Sequence, residues 1–231
     1  MTDLERGIPV KERTPLSRVK DAMARNMKAS VETLALSQVS RELDLTGLQA
    51  AREQREPRLS LNVALMAAVA RALAAHPDLN AELLGDQIVT YAAVNLGMAV
   101  ATPAGLIVVV IPGADQLPLD ALAAKIDDLA GRARVGRITL ADVEGGTFTV
   151  SNLGMLGIDF GIPIPRPPES AILMLGTARP RPVALEGQVV VRQTCFATLS
   201  FDHRFIDGAQ AAAFMTTLNE LVSEQPDWIS R

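Results

Sequence analysis

The sequence predicts an α/β fold in α+β two-layer form, with one mixed sheet and helices packed on one side. Three observations carry this expectation. Short strand-like runs alternate with apolar helical patterns. A turn signal at Pro103-Ala104-Gly105 joins two such runs closely enough for an antiparallel pair. No fixed-period repeat, low-complexity tract or linker divides the 231 residues, which suffice for a sizeable core. Aromatics make up only 3% of a chain that is 48% hydrophobic, so that core rests on Ala, Val, Leu, Ile and Met.

In order, residues 1–14 are polar with scattered charges and predict an extended arm; residues 15–231 form a single domain. Pro15-Leu16-Ser17 opens a helix whose Val19, Met23 and Met27 share a face, while Arg18, Lys20, Arg25 and Lys28 make the other side basic. Leu34 to Leu43 alternates like a strand, and a short helix follows from Leu45 to Arg55. Ser60-Leu61-Asn62 caps a helix through Ala75 that is apolar all round and therefore buried. Pro77 stops it, and His76 is placed to complement its dipole.

Strands are expected at Ile88–Tyr91, Val94–Thr102 and Leu106–Ile111. The last is a continuous β-branched run, which suits a central strand covered on both faces. A helix from Leu119 to Ala133 buries Leu122, Ile126 and Leu129, and Thr147–Val150 is a strand running into Ser151-Asn152-Leu153-Gly154. Residues 162–168, with four prolines, cannot be helix. Ala171–Leu175, Val189–Arg192 and Thr194–Ser200 complete the strands.

Composition excludes several functions. A net charge of −4 argues against a nucleic-acid partner. No apolar run is long enough to cross a membrane, and the amino terminus lacks signal-peptide character. The single cysteine, Cys195, fits a reducing cytoplasm. With two histidines and one cysteine no dedicated metal site is expected.

The chemistry concentrates at Asp202-His203-Arg204-Phe205-Ile206-Asp207-Gly208, between a strand end and a helix start. His203 can accept and return a proton near neutrality. Asp207 could orient it or anchor the turn, and Gly208 would ease a sharp bend. On its own, a histidine at a strand end is more often structural than catalytic.

These residues resemble the DHRxxDG signature of the catalytic domain of 2-oxo-acid dehydrogenase acyltransferases, the E2 components; chloramphenicol acetyltransferase shares the HxxxDG core. Gly145 to Gly154 is similar to that family's GGTFTISNLG. Pro15-Leu16-Ser17-Arg18, His76 to Ala81 and Ala101 to Val108 match in the same order, so the resemblance spans residues 10 to 225. It implies a chloramphenicol acetyltransferase-like fold and a homotrimer with its site between subunits. It also implies coenzyme A or acetyl-CoA as co-substrate and direct acyl transfer. By the same resemblance His203 is the general base and Ser151 the oxyanion donor. Asp207 orients His203, supported by an ion pair with Arg18, and Asn152, Asp202, Arg204 and Gly208 support the loops.

Some positions depart from the family pattern. The strand usually reading PHFTLTVEVD is Ala35 to Asp44 here, so its His-Phe pair is missing. Asn26, Val109 and Pro112 stand where arginine, proline and arginine are usual. No lipoyl-bearing Asp-Lys-Ala hairpin is present, and the leucine-rich closing tail is not seen. These departures favour a free-standing acetyltransferase acting on a small-molecule hydroxyl in natural-product biosynthesis, such as a tetronate intermediate. The alternative is a dihydrolipoyl acyltransferase core with a lipoyl acceptor. A catalytically silent scaffold is disfavoured by the intact His203 and Ser151.

Overall fold

The computed structural model describes residues 3–230 and centres on a seven-stranded mixed sheet. A two-residue hairpin, β1 (Leu4–Glu5) with β2 (Ile8–Pro9), occupies the expected extended arm, tied down where Arg13 pairs with Asp3 and Glu5. Helix α1 (Arg18–Thr33) follows, its Ser17 cap accepting the Lys20 N–H. Then come β3 (Leu36–Asp44), α2 (Thr46–Gln54) and α3 (Leu61–Ala75). A separate hairpin pairs β4 (Ala81–Leu84) with β5 (Gln87–Thr90).

The remaining elements are β6 (Leu96–Thr102), β7 (Gly105–Ile111), α4 (Leu119–Arg134), β8 (Phe148–Asn152), β9 (Ala171–Leu175), β10 (Arg179–Leu185), β11 (Gln188–Asp202) and α5 (Gly208–Asn219). In the sheet the order is β10-β11-β9-β8-β6-β7, and β3 pairs along the other side of β11. The pairs β6–β8 and β8–β9 are parallel and the rest antiparallel.

Register explains the two layers. Leu199, Leu173, Val150, Met98 and Val109 fall in one cross-strand row, and all five are buried in the core cluster. Residues of α2, α3, α4 and α5 close over that face. Helix α3 buries ten of its fifteen residues, which accounts for its lack of a polar side. Helix α1 buries only Ser30, whose hydroxyl donates to the Pro165 carbonyl.

Three expectations need correction. The run Leu106–Ile111 is not central: β7 is the last strand of its edge, and only Val109, Val110 and Ile111 are buried. Its β-branched content reflects half-burial under α4, a condition that an edge strand also meets. Val189–Arg192 and Thr194–Ser200 are one continuous strand, because β3 holds residues 194–202 while β10 holds 188–194. His76 does not act on the helix dipole as a cation. Burial pushes its pKa down, and its Nε2 meets Thr217 Oγ1 at 2.8 Å, linking α3 to α5.

Two glycines of the strand-loop motif sit in tight surroundings, and the second has backbone against it. A Cβ on Gly146 would sit 2.8 Å from both Arg166 Nη2 and Glu169 Oε1, the partners of a buried ion pair. A Cβ on Gly154 would lie 2.4 Å from the Gly176 carbonyl oxygen, so the turn after β8 can cross the β9–β10 connection only as glycine.

Candidate active site

The two residues expected to share the chemistry stand at opposite ends of the sheet. His203 lies just past β11, exposed, with its ring 5.6 Å from that of Phe201. Its backbone N–H donates to the Ala35 carbonyl at 2.8 Å. Asp202 is fully buried and organises the turn. Its carboxylate accepts the Ala35 and Arg204 backbone N–H groups at 3.2 Å and the Arg204 guanidinium at 2.6 Å. Several fixed donors around one buried carboxylate leave the following backbone little freedom. Asp202 and Arg204 therefore hold this turn together.

Asp207 is the N-cap of α5. Its Oδ1 accepts the Gln210 N–H while Gln210 Oε1 accepts the Asp207 N–H, a reciprocal capping box. The expected ion pair with Arg18 is not formed within the chain: Arg18 is exposed at the start of α1, and no salt bridge involves it among the described residues. Gly208 is not at a bend either. It opens α5 without a positive φ, and a Cβ there would meet nothing within 4 Å.

At the other end, Ser151 and Asn152 continue β8 past the expected boundary and line a cavity of about 380 Å³ beside the carboxyl ends of the parallel strands β6 and β8. Met66 of α3, Met98 and Val100 of β6, and Ile126 and Ala130 of α4 make its wall largely apolar. Asn152 Nδ2 donates to Asn62 Oδ1 at 3.0 Å, and Asn152 Oδ1 accepts the Gly154 N–H. Asn62 is a site residue that the sequence does not flag, because next to the Ser60 cap it reads as part of a helix start.

Register gives the separation of the two ends. Ser151 is level with Met174, and Met174 with Thr198, so Ser151 lies two strands from β11. His203 is five residues beyond Thr198, and strand spacing and rise then put the two about 19 Å apart in one chain. They cannot meet within a single subunit.

Cys195 is fully buried in β11, and burial pushes its thiol up to about 12, which removes it as a nucleophile. Among the described residues no group of three or more His, Cys, Asp or Glu could hold a metal ion. Among them no helix is long and apolar enough to cross a membrane.

Comparison with known proteins follows this geometry. The model of the 2-oxoacid dehydrogenases acyltransferase (catalytic domain) family matches residues 9–229. The succinyltransferase component of the Haemophilus influenzae 2-oxoglutarate dehydrogenase complex, a dihydrolipoyllysine-residue enzyme, is 34% identical over 92% of the chain. The chain spans about half of that relative's length, 54%.

Azotobacter vinelandii dihydrolipoamide acetyltransferase superposes with a TM-score of 0.88 at 33% identity, covering 94% of this chain and 93% of that one. Its catalytic mechanism has been studied through a serine, a histidine and an asparagine, whose spacing equals that of Ser151, His203 and Asp207. The cubic core of the pyruvate dehydrogenase multienzyme complex matches with the same TM-score, identity and coverage. Chloramphenicol acetyltransferase, at 16% identity and a TM-score of 0.59 over 86% of this chain and 94% of that one, shares the fold.

These relatives overturn the expectation of acetyl transfer to a natural-product hydroxyl, because they are dihydrolipoyl acyltransferases. The chain belongs to the family of 2-oxoacid dehydrogenase acyltransferase catalytic domains.

Proposed function

We propose that the chain is the catalytic core of a dihydrolipoyl acyltransferase, moving an acyl group between the thiol of a dihydrolipoyl group and that of coenzyme A. The lipoyl group is carried outside the residues described, and the active unit is a homotrimer in which His203 of one subunit faces Ser151 of the next. The single observation that carries this reading is the separation of the pair. Ser151 lines a cavity about 19 Å from the His203 of its own chain, while that His203 stands exposed on a rigid turn.

In this reading the His203 imidazole removes the proton of the attacking thiol, and the thiolate sulfur bonds to the thioester carbonyl carbon. Negative charge then collects on the carbonyl oxygen, where the Ser151 hydroxyl donates a hydrogen bond. The tetrahedral species collapses by breaking the bond to the leaving sulfur, and that sulfur takes the proton back from His203. No acyl-enzyme forms and no redox partner is needed.

The Asp202 network sets where His203 stands, and the Asn152 bonds anchor the turn that follows Ser151. The test is acetyl transfer from acetyl-CoA to dihydrolipoamide, followed by the chromatographic appearance of S-acetyldihydrolipoamide and free coenzyme A. His203→Ala should lower kcat about a thousandfold with the fold unchanged. Near-normal turnover of that variant would overturn the mechanism.

A further inference from the structure

We propose that Asn62 is a substrate-binding residue, whose side-chain amide donates a hydrogen bond to a secondary-amide carbonyl on the thiol-bearing arm beside Ser151. This rests on the reading above, in which the thioester lies against Ser151. Both arms of that reaction carry such carbonyls, the pantetheine of coenzyme A and the amide that joins lipoate to lysine.

One backbone donor fixes the orientation of two side chains. The Gly154 N–H donates to the oxygen of the Asn152 side chain at 3.0 Å. Asn152 must then present its nitrogen on the other side, where Nδ2 donates to Asn62 Oδ1, also at 3.0 Å. That nitrogen in turn requires the oxygen of Asn62, so Asn62 turns its own NH2 elsewhere. Its one partner among the described residues is the thioether sulfur of Met98, 3.8 Å away.

A thioether is a weak acceptor, and a carboxamide nitrogen carries two donors. At least one N–H of Asn62 is therefore left without a strong partner. Asn62, Asn152, Ser151 and Met98 all line the same cavity, so the spare donor stands in the wall that a substrate arm would pass. Met66, Val100 and Val150 make part of that wall apolar; Ser60 and Asp127 line the cavity too, and neither bonds Asn62. A site built to bond a substrate carbonyl discriminates against the analogue lacking it, because its own donor is then stranded.

The test compares kcat/KM for amide-bearing and amide-free partners in wild type, Asn62→Leu and Asn62→Asp. On the donor side S-acetyl-N-acetylcysteamine is set against S-ethyl thioacetate, with dihydrolipoamide as acceptor. On the acceptor side dihydrolipoamide is set against octane-1,3-dithiol, which has the same dithiol but no carbonyl, with acetyl-CoA as donor. Wild type should prefer the amide on one side by on the order of tenfold, and the side that responds identifies the arm lying along Asn62.

Asn62→Leu should bring that ratio close to one. Asn62→Asp keeps the acceptor that holds Asn152 and suits a helix N-terminus, so it should fold, yet it lacks the donor and should lose the preference as well. A wild-type ratio retained in Asn62→Asp would confine Asn62 to holding Asn152 and overturn the binding role. An unmoved ratio in Asn62→Leu would do the same. Wild-type protein inert with acetyl-CoA and dihydrolipoamide would overturn the function itself, and this role with it.

Discussion

The His203 turn and the Ser151 strand end are built on different plans. At the first, the backbone is over-determined and the functional side chain is open: Asp202 is fully buried with four hydrogen-bonded donors, whereas His203 is exposed. At the second, the side chain is partly buried. Ser151 lines a largely apolar cavity and its neighbour Asn152 is bonded at both ends of its amide. One region presents a group to something outside the chain, and the other receives. Such a division suits two halves of a site contributed by different copies.

Substitutions break this contrast in descending order of effect. His203→Ala removes the presented half, with the thousandfold loss in kcat given above. Ser151→Ala removes the receiving half. One oxyanion donor contributes about 3 kcal/mol to the transition state, so kcat should fall about a hundredfold with little change in KM. A rise in KM at constant kcat would show instead that Ser151 only binds.

Asp202→Ala separates scaffold from chemistry. It removes the acceptor of the Ala35 N–H and releases the exposed Arg204 guanidinium to solvent, and should destabilise the fold by about 2 kcal/mol in urea titration. A variant as stable as wild type would show that the turn does not depend on that carboxylate.

The smallest effect concerns Glu169, beside Ser170, whose carbonyl accepts the Asp202 N–H at the His203 end. Its side chain is buried and burial raises its pKa, despite bonds from Arg166 and Thr149. The folded state thus holds this proton more tightly than the unfolded chain does. Stability should be highest below the ordinary carboxylate pKa and decline as pH rises from there through the raised value. Glu169→Gln should flatten that decline; an unchanged slope in urea midpoint against pH would assign it to other groups.

Much of this was legible in the sequence, and what escaped has identifiable causes. The Asp202–Gly208 and Gly145–Gly154 stretches could be read because chemistry and turn geometry are packed into a few neighbouring residues. Strand β10 escaped because Pro180 and Pro182 lack the N–H that a ladder uses. It forms as an outer strand, level with Gln193 and Val191 of β11. The central placement of β7 was wrong because hydrophobicity reports burial, not position in a sheet.

Asn62 escaped for another reason: its partner Asn152 is 90 residues away, and only the fold brings them together. The acceptor was misjudged because departures on Ala35 to Asp44 were given more weight than the intact motifs.

Mixing two inactive variants tests the shared site most directly. His203→Ala and Ser151→Ala subunits, dissociated, combined in equal amounts and reassociated, should regain about one quarter of wild-type transfer, the share of random interfaces that pair an intact serine with an intact histidine. A mixture no more active than the mean of its two parents would contradict a site built from neighbouring chains.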